Sequence, residues 1–240
     1  MAQITRLLSL AMAGVLLFAA SSAFAQDVQV ACDSFPDVDV NIEALFPDPY
    51  IVDSSPLFEL QNLSRSGQHS IREGWTLGLA TYKPVIEIRL PVTLVQTEGG
   101  LACAAINKLD ARLGYKDVVV YVAREIPRNT CGFDEVFRHE MKHIEANRAV
   151  LDAYVPIVSD RLREHLKFNG VIRQENPDYA VEVLRDKLRD IVEKTMQEMD
   201  RDNAARQEAI DSPEEYARIG NVCDGQLQKV LGQVLRANGR

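Results

Sequence analysis

Strand-like alternation governs the first hundred or so residues of this chain, and helical periodicity takes over from residue 133 onward. Val28 and Val30 alternate with polar neighbours, as do Val38, Val40 and Ile42. Phe46-Pro47-Asp48-Pro49 and Ser54-Ser55-Pro56 cut that pattern into short pieces. The clearest expected strand is residues 85–90, with Ile86, Ile88 and Leu90 on one face and Glu87 and Arg89 on the other. Pro91 confines that region to an edge or a bulge, and Gly99-Gly100 marks a turn. Residues 101–113 carry Ala102, Ile106, Leu109 and Leu113 at helical spacing with Gly114 as a stop, which predicts a short helix. Val118 to Val122 are apolar on both faces, so residues 117–126 read as a strand buried on both sides.

Residues 133–154 predict one amphipathic helix, opened by Asp134 and Glu135 where the helix dipole favours acids. At 100° per residue, Val136, His139, His143, Ala146, Val150 and Tyr154 share a face, while Arg138, Lys142, Glu145, Arg148 and Asp152 fall outside it. Pro156 suits the first turn of a second helix that stops at Asn169-Gly170, and so short a connection makes the two helices antiparallel neighbours. A long helix is expected from Asn176-Pro177-Asp178 to about residue 209, striped by Ala180, Leu184, Leu188, Val192, Thr195, Met196 and Met199. Ser212-Pro213-Glu214-Glu215 has the form of a capping box, so a further helix begins there, and residues 226–235 form the last.

Composition then limits the setting. Arg6, an apolar run over residues 7–20 and Ala23-Phe24-Ala25 read as a secretory signal peptide, residues 1–25, with Gln26 as the first mature residue. That run is too short for a membrane span, so stable membrane insertion after cleavage is not expected, and the product is placed outside the cytoplasm, secreted or periplasmic. Removing Arg6 takes the formal net charge from -8 to -9, which argues against nucleic acid as a partner. The four cysteines Cys32, Cys103, Cys131 and Cys223 all lie in the exported part, where two disulfides are expected; the spacing leaves the pairing open.

The chemistry concentrates in His139-Glu140-Met141-Lys142-His143. Two histidines four apart on a helix project from one side at the separation that lets two imidazoles share a cation, with a carboxylate beside them able to accept a proton from water. These five residues resemble the His-Glu-x-x-His signature of the zincin metallopeptidases. The resemblance covers residues 101–168, and it implies an α+β fold: a small mixed sheet packed on a zincin-like active-site helix in residues 26–170, followed by a helical C-terminal region, 171–240. It also implies Zn2+ as cofactor, His139 and His143 as metal ligands and Glu140 as the catalytic general base, passing a proton on to the leaving amine. Lys142 and Glu145 depart from the stricter form of the signature. Both fall on the outer side of the helix, where they can pair with each other.

A third ligand is needed. Its candidates lie on the helix after Pro156: helical periodicity favours His165 as the third metal ligand, while the resemblance favours Glu164. Asp160 points nearly opposite, and Asn147 is nearer the histidines but is a weak ligand for zinc. Tyr154 shares the ligand face and could serve an oxyanion, although a core role is the simpler account. His69 is read as a solvated loop residue. The function expected is that of a secreted zinc metallopeptidase acting on a protein or peptide substrate. A non-catalytic exported helical interaction protein and a zinc amidase acting on cell wall are the alternatives.

Overall fold

The structure, a computed structural model, describes residues 37–66, 75–96 and 102–239. The expected signal peptide, the alternation at Val28 and Val30, Cys32, His69 and Gly99-Gly100 lie outside them. The architecture is mixed α and β. Strands β1 (Asp39–Leu45), β2 (Tyr50–Val52), β3 (Gly78–Arg89), β4 (Val92–Gln96), β5 (Ala102–Ile106), β6 (Lys108–Val122) and β7 (Val171–Gln174) accompany helices α1 (Leu57–Ser66), α2 (Cys131–Asn169), α3 (Pro177–Ile210) and α4 (Pro213–Ala237), the last broken by a kink at residues 222–225, so that a separate final helix follows residue 225 as expected. No described helix is long and apolar enough to cross a membrane.

Two compact units emerge, each assembled from three stretches of chain. One comprises Met1–Asn41, Arg89–Leu109 and Arg161–Ile191, the other Ile42–Ile88, Asp110–Asp160 and Val192–Arg240. Both draw on residues from either side of Gly170, the boundary expected from the sequence. The first unit holds the antiparallel sheet β4-β5-β7, in which Val92 faces Ile106 and Ala102 faces Gln174. Its central strand β5 is buried throughout. Leu162, Leu166, Ala180, Leu184 and Leu188, repeating at helical spacing on α2 and α3, are buried in the same unit.

The second unit is built on β6. β2 pairs with it in parallel, Tyr50 opposite Val119. β3 lies against it in the antiparallel sense, as the pairs Leu77 with Ala123, Lys83 with Asp117 and Glu87 with Arg112 require. This gives the mixed sheet its sense of direction. On α1, Leu57, Leu60, Gln61 and Ser64 are buried at helical spacing, and Leu57 and Leu60 join Val122, Ala123, Ile126, Phe133, Val136, Ile219 and Leu227 in the core.

Several expectations are corrected. The helix expected over residues 101–113 is instead β5 and the start of β6. Leu109, Ala111, Leu113 and Tyr115 are buried alternately with Asp110, half-buried, and Arg112, exposed, a period of two that the helical spacing of four residues had masked. The buried phase changes to Val118, Val120 and Val122 across Gly114 and Asp117, the latter at φ 51, an irregularity of the kind that turns a strand's faces over. Gly114 is no helix stop; at φ 147 it admits the Leu45 carbonyl oxygen, which would stand 2.0 Å from any Cβ. In β3 the strand is present, but Val85 is its buried residue and Ile86 is 47% exposed. Residues 171–174, which open the region expected to be helical, form β7.

The largest correction concerns Pro156. It does not separate two helices but lies inside α2, which runs unbroken over 39 residues. Pro156 and Asp152, whose carbonyl loses its helical partner, are both exposed, so water can satisfy the freed oxygen. The antiparallel pair expected there does not form.

Candidate metal centre

The helical projection of α2 holds. Val136, His139, Ile144, Asn147, Val150 and Leu151 are buried and His143 nearly so. The i, i+4 ridge of this helix carries Cys131, Glu135, His139, His143 and Asn147, and each of these meets a partner from the end of α3 or the first half of α4. Asn203 Nδ2 donates to Asn147 Oδ1 at 2.7 Å, and Asn147 Nδ2 donates to the His143 carbonyl at 2.8 Å. Gln207 lies beside His143, Asp211 beside both histidines, Glu215 beside His139, and Arg218 Nη1 reaches Glu135 Oε2 at 2.9 Å. Cys131 is disulfide-bonded to Cys223. The partner numbers fall as the α2 numbers rise, so α3 and α4 run in turn antiparallel to α2. Their two-residue junction, Asp211-Ser212, comes opposite the histidine pair.

That junction supplies a third donor. His139 Nε2 and His143 Nε2 are 3.3 Å apart, and Asp211 Oδ1 is 3.2 Å from each of them. Among the described residues this is a group able to hold a metal ion. Four donors arranged tetrahedrally at about 2.0–2.1 Å from zinc stand about 3.3 Å from one another. The three measured edges therefore match those of one face of such a site. Gln207 Oε1 can only accept, so His143 Nδ1 donates to it and keeps a proton there, which makes Nε2 the ring nitrogen that would face a metal. The donor set of two imidazoles and one carboxylate fits zinc.

The carboxylate at the centre is well held. Tyr216 Oη donates to Asp211 Oδ1 at 2.8 Å, and the Tyr216 ring lies 5.9 Å from that of His139. Burial works against the charge on Asp211, but hydrogen bonds from His139 and His143 hold its carboxyl well below the usual carboxylate range. Glu140 is different. It is buried against the start of β3, where the Ala80 amide donates to it, and burial pushes its carboxyl up to about 7 although the neighbouring histidines oppose that rise. Gly78 makes the close approach possible: a Cβ there would stand 2.6 Å from Glu140 Oε1.

The structure brings His139, His143 and Glu140 together as expected and does not bring His165 to them. His165 lies about six turns further along α2, and Glu164 beside it is likewise absent from the cluster. With α2 continuous through Pro156, nothing folds that segment back, and Asp211 stands in the third position instead. His165 lies in the other compact unit, where burial and the charge of Lys187 lower its pKa. Tyr154 is not the tyrosine of the site either; its hydroxyl donates to Asp202 at 2.7 Å, and the tyrosine that reaches Asp211 is Tyr216. Lys142 does not pair with Glu145 but with Glu215 on α4.

No family model, curated protein or solved structure matches this chain. Its chemistry therefore has to be read from the site.

Asp211 carried no local signal: it reads as one of many acids at the end of a charged helix. The Ser212 cap was the nearest clue. Ser212 Oγ accepts from the Glu215 amide at 3.2 Å, which confirms that a helix restarts there and that Asp211 stands at the break.

Proposed function

We propose that this protein is a zinc-dependent peptidase of the zincin type, exported from the cytoplasm, in which His139, His143 and Asp211 hold the ion and Glu140 is the general base. The observation that carries the reading is the near-equilateral triangle of two Nε2 atoms and Asp211 Oδ1 next to a buried glutamate. Zinc bound there would supply a Lewis acid that polarises a scissile carbonyl and acidifies water. The chain's own groups do the rest. Glu140, raised to about 7, is suited both to accept a proton and to give it up near neutral pH. The Ala80 amide donates to its carboxylate, and Gln207 keeps the His143 proton on Nδ1, away from the ion. The Cys131–Cys223 disulfide, together with a disulfide-bonded Cys103, supports an oxidising compartment.

Metal analysis of the purified protein, with hydrolysis of casein as the activity assay, tests this. One zinc per chain is expected in the wild type, loss of it in His139→Ala, and retained zinc with abolished hydrolysis in Glu140→Gln. A wild type without stoichiometric zinc after growth in zinc-containing medium removes the proposal. Zinc retained with hydrolysis indifferent to Glu140→Gln makes the site a structural staple between α2 and the α3–α4 junction.

A further inference from the structure

The two histidines of the cluster are not supported alike. His143 Nδ1 has its acceptor in Gln207. His139 Nδ1, which must carry the ring proton if Nε2 is to face the ion, is buried and has no hydrogen-bond partner among the described residues. A buried N–H left unpaired costs about 1–3 kcal/mol. The nearest carboxylate oxygen is Glu215 Oε1, 3.6 Å away, just beyond hydrogen-bonding distance.

Glu215 is held there by more than its own helix. Its position three after Ser212 would let it turn back to the Ser212 amide in a capping box. Only half of that box exists: the Glu215 amide donates to Ser212 Oγ, while the carboxylate turns toward α2. Lys142 Nζ donates to Oε1, and Arg218 grips both oxygens, Nε to Oε2 at 2.8 Å and Nη2 to Oε1 at 3.0 Å. Arg218 is anchored in turn by Glu135. The lysine that departs from the stricter zincin signature is thus one of the two cations that place this carboxylate.

We propose that Glu215 is the positioning residue for His139: held by Lys142 and Arg218, its carboxylate accepts a hydrogen bond from His139 Nδ1–H and so fixes the ring with Nε2 toward the metal. The inference rests on the zinc reading of the site. A movement of a few tenths of an ångström brings the pair into hydrogen-bonding range, and a carboxylate in that position also makes the imidazole a better donor to the ion.

The test is the zinc dissociation constant of the full chain, measured by competition with a chromophoric chelator, for the wild type, Glu215→Ala and Glu215→Gln, alongside the melting temperature of each metal-free protein. Glu215→Ala is expected to weaken zinc binding by about 10–100-fold. Glu215→Gln keeps an acceptor oxygen and is expected to recover most of that loss. Wild-type zinc binding with Glu215→Ala within about twofold of it overturns this inference and leaves the metal site standing. So does an equal loss of affinity in both variants matched by an equal fall in metal-free melting temperature, which marks a role in folding alone. A wild type that binds no zinc overturns the metal reading and this inference together.

Discussion

Gly78→Ala is the substitution whose consequence the structure fixes most closely. The backbone at Gly78 is not in the left-handed region, so alanine meets no conformational barrier there, and the effect is purely one of space. The added Cβ would stand 2.6 Å from Glu140 Oε1, 2.6 Å from Val136 Cγ1 and 2.8 Å from Glu140 Cγ. To reach ordinary contact at 3.4 Å, the Glu140 carboxylate has to retreat by about 0.8 Å, and Val136 in the core has to give as well. Overpacking of this kind costs about 1–3 kcal/mol, and the stiffer unfolded chain returns about 0.4–1 kcal/mol. The net is a loss of up to about 2.6 kcal/mol, a fall in melting temperature of up to about 10 °C for a chain of this size. The functional effect is larger, because misplacing a reacting group by about 1 Å can lower the rate by about 10²-fold. Zinc affinity should stay near the wild-type value, since the atoms nearest the new methyl belong to Glu140 and Val136 and to none of the three donors. Casein hydrolysis, chelator competition and thermal melting on one preparation read all three quantities. A variant that melts and hydrolyses like the wild type refutes the reasoning, for it shows that Glu140 does not depend on the space above Gly78.

Asp211→Ala should weaken zinc binding by more than about 100-fold, beyond what loss of an outer-shell partner produces, while His165→Ala leaves it unchanged; the reverse order in a chelator titration restores His165 as the third ligand. In metal-free protein, the pKa of Glu140 near 7 against an ordinary 4.5 means that between these values the folded chain keeps a proton the unfolded chain has released. Through this group stability is greatest below pH 4.5 and falls as pH rises to 7, so the stability advantage of Glu140→Gln over wild type should grow across that window by up to about 3 kcal/mol. Urea unfolding in chelator at the two ends of the window measures it, and a flat difference means that Glu140 is solvated. Cys131→Ala with Cys223→Ala should cost about 2–5 kcal/mol of stability and weaken zinc binding, because the disulfide closes the same antiparallel lacing that holds Asp211; unaltered zinc affinity separates the two cross-links.

Much of this was legible in the chain itself. Helical periodicity alone placed His139 and His143 on the inner side of α2 and Lys142 outside the ligand face, because the direction of a helical side chain follows from residue number. The start of α3 at Asn176, whose Oδ1 accepts from the Asp178 amide at 2.9 Å, and the Ser212 cap of α4 followed from local hydrogen-bonding chemistry in the same way. Residues 101–113 misled for the opposite reason: apolar residues four apart satisfy both a helix and a strand, and only the strands that pair with β5 and with β6 decide between them. Pro156 misled because its cost depends on whether the freed carbonyl meets water, which is a matter of exposure in the folded chain. The third member of the cluster was beyond local reading altogether. Asp211 lies 68 residues from His143, and what brings it to the pair is the register of α3 and α4 along α2, from Asn203 on Asn147 to the disulfide at Cys131. The sequence determined which face two histidines present; only the packing of one helix on two others decided what they meet, since that depends on side-chain fit summed over the whole interface and no single residue carries it.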